Sequence, residues 1–353
     1  MRAVLFAVVI SLSFADAFSP QPPQRAGSSP PLPSKSQVAW LNREVGALFQ
    51  FNIGEYGTQI NDYACRDTSQ PPIPASMFTP MALNTTAWME TTVAMGAKHA
   101  VLTTQAGCGF DLWHTNATLP GGAPYNYTVR ESPFGRDIVR EFVDAARAAG
   151  IKPGLYYIIN QNYFLSFSDG KIVPRTAPGQ QQVTDADYEA IVLAQLRELW
   201  TAYGSLVELW FDGGCPPSLK DKVAALLEEL QPDAVRFQGP SNSQAVRWIG
   251  SESGKAPEPN WITANGSLDF GPGEADGPVV APSEADTTMA STSLPGFSGT
   301  GSPGSRSKRS APSPRRTTAA LGTTATFCLE FPSTIPELLL ATAVRGLRSL
   351  DSG

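Results

Sequence analysis

The chain has few histidines, few cysteines and few charged residues, and each shortage excludes a class of protein. Only two of the 353 residues are histidine, which leaves little for histidine-based metal centres. The four cysteines lie too far apart in sequence for a finger-type zinc site. They could pair in an oxidising compartment or remain as buried thiols, and their spacing does not choose between these two states.

The low charge also limits the kinds of partner. Charged residues make up 16% of the chain and the net charge is −6, so the chain has no general affinity for nucleic acid, whose binding would require a basic face. No Gly-x-Gly-x-x-Gly motif follows the first strand-like segment, which argues against dinucleotide binding. No apolar run after the amino end is long enough to cross a membrane.

The amino end has the three parts of a secretory signal peptide. Arg2 supplies the positive start, residues 4–14 form the apolar segment, and Ala15-Asp16-Ala17 is a small-x-small cleavage site. A membrane anchor and a buried strand are the alternatives, and we favour cleavage after residue 17. The sequence therefore predicts a secreted, lysosomal, vacuolar or apoplastic glycoprotein. Four Asn-x-Ser/Thr sequons fit that route: Asn84, Asn116, Asn126 and Asn265.

After a Pro-rich linker at residues 18–36, strand-like and helix-like segments alternate. Each strand-like segment ends in Gly, Asn, Gln or Asp, which is typical of βα units that build a parallel sheet. We therefore predict an α/β protein with a (β/α)8-type (TIM-like) barrel, regular or not, over residues 37–290, with a doubly wound sheet as the alternative. The predicted strands are 47–53, 99–104, 152–159, 206–211, 234–237 and 246–249, and the predicted helices are 82–96, 134–150, 184–204 and 218–230.

The carboxyl-terminal part differs in composition. Residues 271–316 are dense in Ser, Thr, Gly, Pro and Ala, and such a segment cannot bury enough apolar surface to order itself. We predict that residues 291–318 are either a disordered low-complexity insertion or a stretch with a disrupted reading frame. Apolar residues return in 319–353, where we predict the end of the barrel and a closing helix.

One carboxylate stands at the end of a predicted strand. The mostly apolar run 206–211 leads directly into Asp212 and then into two glycines. In α/β barrels the chemistry lies at the carboxyl ends of the strands, and a carboxylate there suits attack on a sugar ring carbon. Glycoside hydrolysis with retention needs a second carboxyl group. Glu252, in a Gly/Ser loop after the run that contains Trp248, is the best candidate. Glu284 and Asp286 offer two more carboxylates, for which a solvated loop is the simpler interpretation.

Several blocks resemble, in order, those of glycoside hydrolase family 29, the α-L-fucosidases, and most closely its plant-type, linkage-selective branch. Glu208-Leu209-Trp210-Phe211-Asp212-Gly213 resembles the strand of the nucleophile, and Arg247-Trp248-Ile249-Gly250-Ser251-Glu252-Ser253-Gly254 resembles the acid/base loop. Further matching blocks are 36–45, 96–104, 109–113, 154–157 and 282–286.

The resemblance implies a retaining exo-glycosidase that releases α-linked L-fucose, or a related sugar, from a glycan or oligosaccharide. It assigns the nucleophile to Asp212 and the acid/base to Glu252, and it implies no metal or organic cofactor. The expected substrate-binding residues are Gln50, Tyr56, Gln105, Trp113, Tyr157, Trp210, Trp248 and Glu284.

The chain also departs from the family. Gln50 stands where the family has a sugar-binding His, and Ala106 and Gly107 stand where it has a tandem His pair. Buried polar contacts to a sugar hydroxyl strongly set specificity. The alternative is therefore a carbohydrate-binding protein with impaired catalysis on the same fold. The sequence leaves the oligomeric state, the glycan linkage and the disulfide pairing open.

Overall fold

The computed structural model describes residues 30–57, 65, 70–266, 268–288 and 325–332. The predicted signal peptide, the low-complexity segment 291–318 and the closing helix lie outside the described residues. Residues 325–332 and residue 288 are described as backbone only.

Eight strands of the described chain close into a barrel in which every neighbouring pair is parallel. Each strand pairs with the barrel strands that precede and follow it in sequence, and the last closes on the first. This confirms the predicted (β/α)8-type barrel rather than the doubly wound alternative. The strands are β1 (Val45–Gln50), β2 (His99–Gln105), β3 (Lys152–Tyr157), β4 (Glu208–Trp210), β5 (Val235–Phe237), β6 (Ala245–Trp248), β7 (Ser283–Thr288) and β8 (Ala325–Pro332).

Five α-helices of the described chain accompany these strands: α1 (Lys35–Leu41), α2 (Thr85–Ala94), α3 (Ile138–Ala148), α4 (Asp185–Ala202) and α5 (Pro217–Leu230). Their starts follow from the sequence. Capping boxes start α1 and α4, formed by Ser34 with Gln37 and by Thr184 with Asp187. In each pair, each side chain accepts a hydrogen bond from the backbone N–H of the other residue.

The barrel is irregular between β5 and β7. Residues 238–244 connect β5 to β6 without a helix in the described chain, and the β6–β7 connection carries a small antiparallel pair, Thr263–Ala264 with Val279–Val280. The segment 283–288 is nearly all polar and reads as a loop, yet it forms a barrel strand, so the loop interpretation of Glu284 and Asp286 was wrong. Parallel pairing to β6 and β8 satisfies the backbone hydrogen-bonding groups of this segment, so it forms a strand without an alternating apolar pattern.

Side chains alternate between two cores along each strand, because successive residues point to opposite faces. One core lies between the sheet and the helices, and the other fills the barrel interior. Trp40 of α1 belongs to the interior core and is fully buried. Burying an aromatic side chain removes roughly 150–250 Å² from water, which at ~25 cal/mol per Å² contributes about 4–6 kcal/mol. The interior core consists of Trp40, Leu48, Val101, Tyr156, Ile158, Trp210, Val235, Phe237 and Val246.

A buried polar cluster lies among these apolar residues. Trp40 Nε1 donates to Oε2 of Glu208 (2.9 Å), and His99 Nε2 lies 3.0 Å from the same oxygen. These contacts lower the pKa of Glu208 against the opposing effect of burial, whereas burial and the Glu208 charge raise the pKa of Glu284 well above its usual range. Glu284 is therefore the protonated member of this pair, and its hydroxyl group donates a hydrogen bond to Glu208.

Cys65 and Cys108 form a disulfide, which decides part of the question that the sequence left open. Cys215 is a free, half-buried thiol. Among the described helices none has an apolar stretch long enough to cross a bilayer.

Candidate active site

Asp212 lies two residues after the end of β4, at the carboxyl end of the barrel. Trp210, two residues earlier, belongs to the interior core, so Asp212 points to the same side of the sheet. Its partner is Tyr156 of β3, which pairs in register with Trp210 and donates its hydroxyl to Oδ2 of Asp212 at 2.7 Å. A hydrogen bond to the carboxylate holds its side chain in one orientation. Asp212 is partly accessible to solvent.

The loop after Asp212 is held from both sides. Asn160, beyond β3, donates from Nδ2 to the carbonyl of Gly213 (2.9 Å), and the N–H of Gly213 donates to Oε1 of Gln238, beyond β5 (3.0 Å). Gly213 has φ of 71°, and a Cβ there would lie 2.2 Å from Nδ2 of Asn160. The glycine is required both by its backbone conformation and by this close approach.

Asp286 of β7 is a buried carboxyl at the same end of the barrel. Trp248 Nε1 donates to its Oδ1 at 2.6 Å. Burial, the largest cause, and the nearby charges of Glu252 and Asp212 together raise the pKa of Asp286 to about 6, against the hydrogen bonds that lower it. Asp212 and Glu252 therefore both lie within electrostatic reach of Asp286, so the three carboxyl groups share one mouth of the barrel.

Glu252 is exposed and lies on the loop after β6. Two backbone bonds fasten this loop to β7: Ile249 N–H donates to the Glu284 carbonyl (3.0 Å), and Gly254 N–H donates to the Asp286 carbonyl (2.9 Å). Ser253 also pairs with Thr287 in an isolated bridge. The fastening keeps Glu252 beside the strand that carries Asp286, with its own side chain open to solvent.

Three of the predicted substrate-binding residues lie on the interior side of the barrel. Gln50 ends β1 and is half-buried, and Trp248 ends β6 and is half-buried. Trp210 is only 6% exposed, because Phe237 stacks on it at 3.6 Å between centroids and Tyr156 stacks on it at 5.5 Å. Trp210 thus forms the floor below Asp212, and its Nε1 donates to Glu284 (3.0 Å).

Three other predicted substrate-binding residues, Gln105, Trp113 and Tyr157, are on the opposite side of the sheet. Gln105 Nε2 donates to Asp111 (2.7 Å), and the Tyr157 hydroxyl donates to Gln195 of α4 (2.6 Å). Trp113 Nε1 donates to Glu198 of α4 (3.0 Å). All three are buried between the strands and α4. The structure does not bring them to the mouth, so we withdraw their assignment to sugar binding.

Glu284 and Tyr56 complete the predicted set. Glu284 is fully buried in the barrel interior, where Trp210 and Glu208 occupy its hydrogen bonds, so it supports the floor instead of lining an opening. Tyr56 lies on the helical turn after β1 and packs edge-on against Phe78 at 5.0 Å. Burial raises the pKa of Tyr56 to about 12 and that of its neighbour Glu55 to about 8, so both are uncharged at neutral pH.

The sequence reasoning missed the residues that position Asp212. Tyr156 was passed over for its neighbour Tyr157, and the only signal that separates them is the register of β3 against β4. Asn160 and Gln238 follow strands that flank β4, a position from which polar side chains reach the loop after Asp212. Asp286 could have been found as an alternating position in an unrecognised strand.

Neither histidine lies at the mouth. His99 is buried beside Glu208, and His114 Nε2 contacts the carbonyl of Gly135 at 2.9 Å. Within the described residues no group of three or more His, Cys, Asp or Glu side chains has the arrangement of a metal site. The described residues at the mouth offer carboxyl groups, a tyrosine hydroxyl and aromatic surfaces.

Comparison with known proteins identifies the family of this chain. The family model described as α-L-fucosidase matches residues 32–248, which is more than half of the chain. α-L-Fucosidase 1 of Arabidopsis thaliana is 30% identical over 246 residues, which cover 67% of this chain and 42% of that protein. The chain thus spans about two fifths of the length of this curated relative.

Solved structures agree with the barrel. A proposed α-L-fucosidase from Bacteroides thetaiotaomicron is 25% identical, with a TM-score of 0.65 over 92% of this chain and 70% of that one. A glycoside hydrolase family 29 member from an unknown rumen bacterium is also 25% identical, with a TM-score of 0.57 over 74% of this chain and 46% of that one. The chain belongs to the α-L-fucosidase family, glycoside hydrolase family 29.

Proposed function

We propose that this chain is a retaining exo-glycosidase that releases α-linked L-fucose from glycans or oligosaccharides. The observation that carries the proposal is that Asp212 follows β4, and Glu252 lies on the loop after β6 that backbone contacts fasten to β7, so both lie at the carboxyl end of the same barrel. Two carboxyl groups at one mouth are what hydrolysis through a glycosyl–enzyme intermediate requires.

In the first step, Asp212 is the nucleophile. Its carboxylate forms a bond to the anomeric carbon while the bond from that carbon to the glycosidic oxygen breaks. Glu252 donates a proton to the departing oxygen, so the rest of the glycan leaves as an alcohol. The Tyr156 hydroxyl keeps Asp212 in one orientation during the attack.

In the second step, Glu252 acts as the base. It removes a proton from water, the water oxygen bonds to the anomeric carbon, and the ester bond to Asp212 breaks. Two inversions at the same carbon give net retention. The exposed position of Glu252 suits this role, because water reaches it directly.

At the mouth, Gln50 stands where the family has a sugar-binding histidine. Gln50 offers an amide that both donates and accepts, but it cannot supply a charged donor. We therefore infer that recognition of the sugar depends on the linkage and on the rest of the glycan, as in the plant-type branch that the sequence resembles. The expected outcome is slow or absent hydrolysis of 4-nitrophenyl α-L-fucoside and turnover of a branched fucosylated oligosaccharide.

Azide rescue tests the two roles separately. In Glu252→Ala, azide attacks the intermediate on Asp212 and yields the α-fucosyl azide, with retained configuration. In Asp212→Ala, azide attacks the substrate directly and yields the β-fucosyl azide. Asp233→Ala, an exposed aspartate at the amino end of β5, is the matched control and keeps wild-type turnover. Turnover without azide in Asp212→Ala rules out the assigned nucleophile.

The second candidate function is carbohydrate binding without turnover, and the absence of histidine side chains from the described mouth favours it. Saturable binding of L-fucose, with no hydrolysis of any fucosylated oligosaccharide by wild-type protein, would select this alternative. Loss of fucose binding in Asp212→Ala would then locate the site.

We further infer that the protein passes through the secretory route. The Cys65–Cys108 disulfide suits an oxidising compartment, and the asparagines of all four sequons are exposed. Treatment of the protein from its native source with an N-glycosidase is expected to lower its apparent mass. An unchanged mass would argue against this route.

A further inference from the structure

Asp286 holds the loop that carries Glu252 through both its side chain and its backbone. Its Oδ1 accepts a hydrogen bond from Nε1 of Trp248, the last residue of β6, at 2.6 Å. Its carbonyl oxygen accepts from the N–H of Gly254 at 2.9 Å. Trp248 precedes the 249–254 loop and Gly254 ends it, so a single residue of β7 fixes both ends of the segment in which Glu252 lies.

This loop also lies against β7 between its two ends. The N–H of Ile249 donates to the Glu284 carbonyl at 3.0 Å, and Ser253 forms an isolated bridge with Thr287. Gly254 has φ of 65°, and a Cβ there would lie 3.1 Å from Cβ of Thr287. Glycine suits both the backbone conformation and the close approach. The backbone of β7 therefore fixes the loop along its length.

Trp248 is the residue through which the side chain of Asp286 acts. The N–H of Trp248 donates to the Asp269 carbonyl (2.9 Å), and its carbonyl accepts from the N–H of Gly271 (2.7 Å). Its ring packs against the interior core of the barrel. Both the backbone and the indole ring of Trp248 are thus held, and the loop leaves β6 from a residue of fixed orientation.

The carboxyl group of Asp286 has acidic neighbours. Asp286 is only 2% exposed, so it is not placed to touch a substrate. Among the described residues, the charges of Glu252 and Asp212 act on it, and its own charge acts on Glu284. Burial among other carboxyl groups disfavours the charged form, and groups in such surroundings are concentrated at functional sites. Oδ1 accepts from the indole N–H in either protonation state, so the contact with Trp248 persists while Asp286 titrates.

Glu252 depends on this loop for its position. The residue is exposed, and among the described residues no hydrogen bond or salt bridge holds its carboxyl group. A proton donor must lie within hydrogen-bond reach of the departing oxygen, and a displacement of about 1 Å can lower a rate on the order of a hundredfold. The contacts that fix the loop therefore bear directly on proton transfer.

We propose that Asp286 is a positioning residue for the proton-transfer step: its carboxyl group orients Trp248 and its carbonyl holds Gly254, so that Glu252 stands at one place at the mouth. This inference rests on the proposed function, because it takes Glu252 as the acid/base. Asp286 acts through the loop and does not itself touch the sugar.

A double-mutant cycle tests the proposal on a branched fucosylated oligosaccharide at pH 5, with azide present. We expect Asp286→Ala to lower kcat/KM roughly thirtyfold or more when Glu252 is present, because the proton donor is displaced. In Glu252→Ala no carboxyl group remains to be positioned, so the addition of Asp286→Ala changes kcat/KM by less than about threefold. A general loss of barrel stability would instead lower kcat/KM by the same factor in both backgrounds.

Asp286→Asn is expected to restore most of the loss. The pKa of Asp286 is about 6, so at pH 5 its carboxyl group is mostly neutral, and an amide oxygen can replace it as the acceptor for Trp248. Asp233→Ala, at an exposed aspartate, is the matched control and keeps the wild-type kcat/KM.

Hydrogen exchange of the 249–254 loop provides a readout that does not require turnover. We expect exchange there to be about tenfold faster in Asp286→Ala than in wild type, because the loop opens more often, and to be unchanged in Asp233→Ala. Unchanged exchange in Asp286→Ala, or an equal loss of kcat/KM in both backgrounds, overturns the inference and leaves the proposed function standing. Faster exchange in a protein that hydrolyses no fucoside removes the proposed function alone, and Asp286 remains the residue that holds the loop.

Discussion

The hydroxyl of Tyr156 lies 2.7 Å from Oδ2 of Asp212, while the hydroxyl of the next residue, Tyr157, bonds Gln195 on the other side of the sheet. We predict that Tyr156→Phe lowers kcat on a fucosylated oligosaccharide about ten- to a hundredfold, since a hydrogen bond to a charged group contributes roughly 1.5–3 kcal/mol. Steady-state kinetics on the folded variant measure this loss.

Tyr157→Phe is the matched control. It removes a buried hydrogen bond worth about 1 kcal/mol of stability but leaves kcat within twofold of wild type. Equal kinetic effects of the two substitutions would show that Tyr156 acts through the stability of β3 and not through Asp212.

Gly213→Ala is predicted to displace the nucleophile loop. A Cβ at this position would lie 2.2 Å from Nδ2 of Asn160, so one of the two bonds that hold the loop must break. We expect kcat to fall tenfold or more, which corresponds to an activation free energy higher by roughly 1.4 kcal/mol or more. Gly214→Ala has a similar φ of 82° but meets no atom closer than 3.9 Å. It is expected to lower the melting temperature with a much smaller effect on kcat.

Asp286 makes stability depend on pH in a defined direction. Its pKa is raised from the usual 3.8 to about 6, mainly by burial. The protonated form is therefore favoured on folding, and the stability that it contributes is present below pH 3.8 and lost as the pH rises towards 6. A shift of this size corresponds to about 3 kcal/mol.

Asp286→Asn removes this dependence, because the amide oxygen still accepts from Trp248 and carries no charge. Relative to wild type, the variant is expected to gain stability between pH 4.5 and 7, measured as the free energy of unfolding in urea. Asp233→Asn, at an exposed position, provides the control and shows a constant difference across that range. A flat difference for Asp286→Asn as well would contradict the raised pKa.

The two buried glutamates of the floor are predicted to respond differently to the same substitution. Glu284 holds a proton and donates to Glu208, so Glu284→Gln preserves both its hydrogen bonds and its neutrality. We expect a change within about 1 kcal/mol. Glu208→Gln removes the negative charge that faces His99, and its amide N–H2 group is a donor that competes with the Glu284 hydroxyl. Removing one partner of a buried pair lowers the free energy of unfolding by roughly 3–5 kcal/mol. Urea unfolding at pH 7 compares the two, and the reverse order would place the proton on Glu208.

Reduction of the Cys65–Cys108 disulfide is expected to destabilise the protein. The bridge joins residues 43 apart in sequence, and a loop of that length gives about 4 kcal/mol in the chain-entropy estimate. Cys65→Ser should show this loss under oxidising conditions and no further loss on addition of a reductant. Cys215→Ser, at the free thiol, serves as the control.

Much of the barrel could be predicted from sequence, because runs such as 206–211 are mostly apolar and are followed by glycines that stop a strand. β7 could not, since Ser283–Thr288 carries carboxyl and hydroxyl groups where an apolar pattern is expected. Its stability comes from the two strands that flank it, and pairing between segments far apart in sequence leaves no local signal.

The residues of the candidate site could likewise be predicted only in part. Asp212 was found because a mostly apolar strand ends at it, and Glu252 was found from its motif. The choice between Tyr156 and Tyr157 depends on which face of β3 points inward, and a slip of one residue reverses that choice. The register Tyr156↔Trp210 settles it, and register is a property of the folded sheet.

The stack of Phe237, Trp210 and Tyr156 beneath Asp212 closes the barrel from below. Under the proposed mechanism, a sugar bound to Asp212 would therefore leave towards the mouth, away from this floor. The severed glycan would then have to depart before free fucose does.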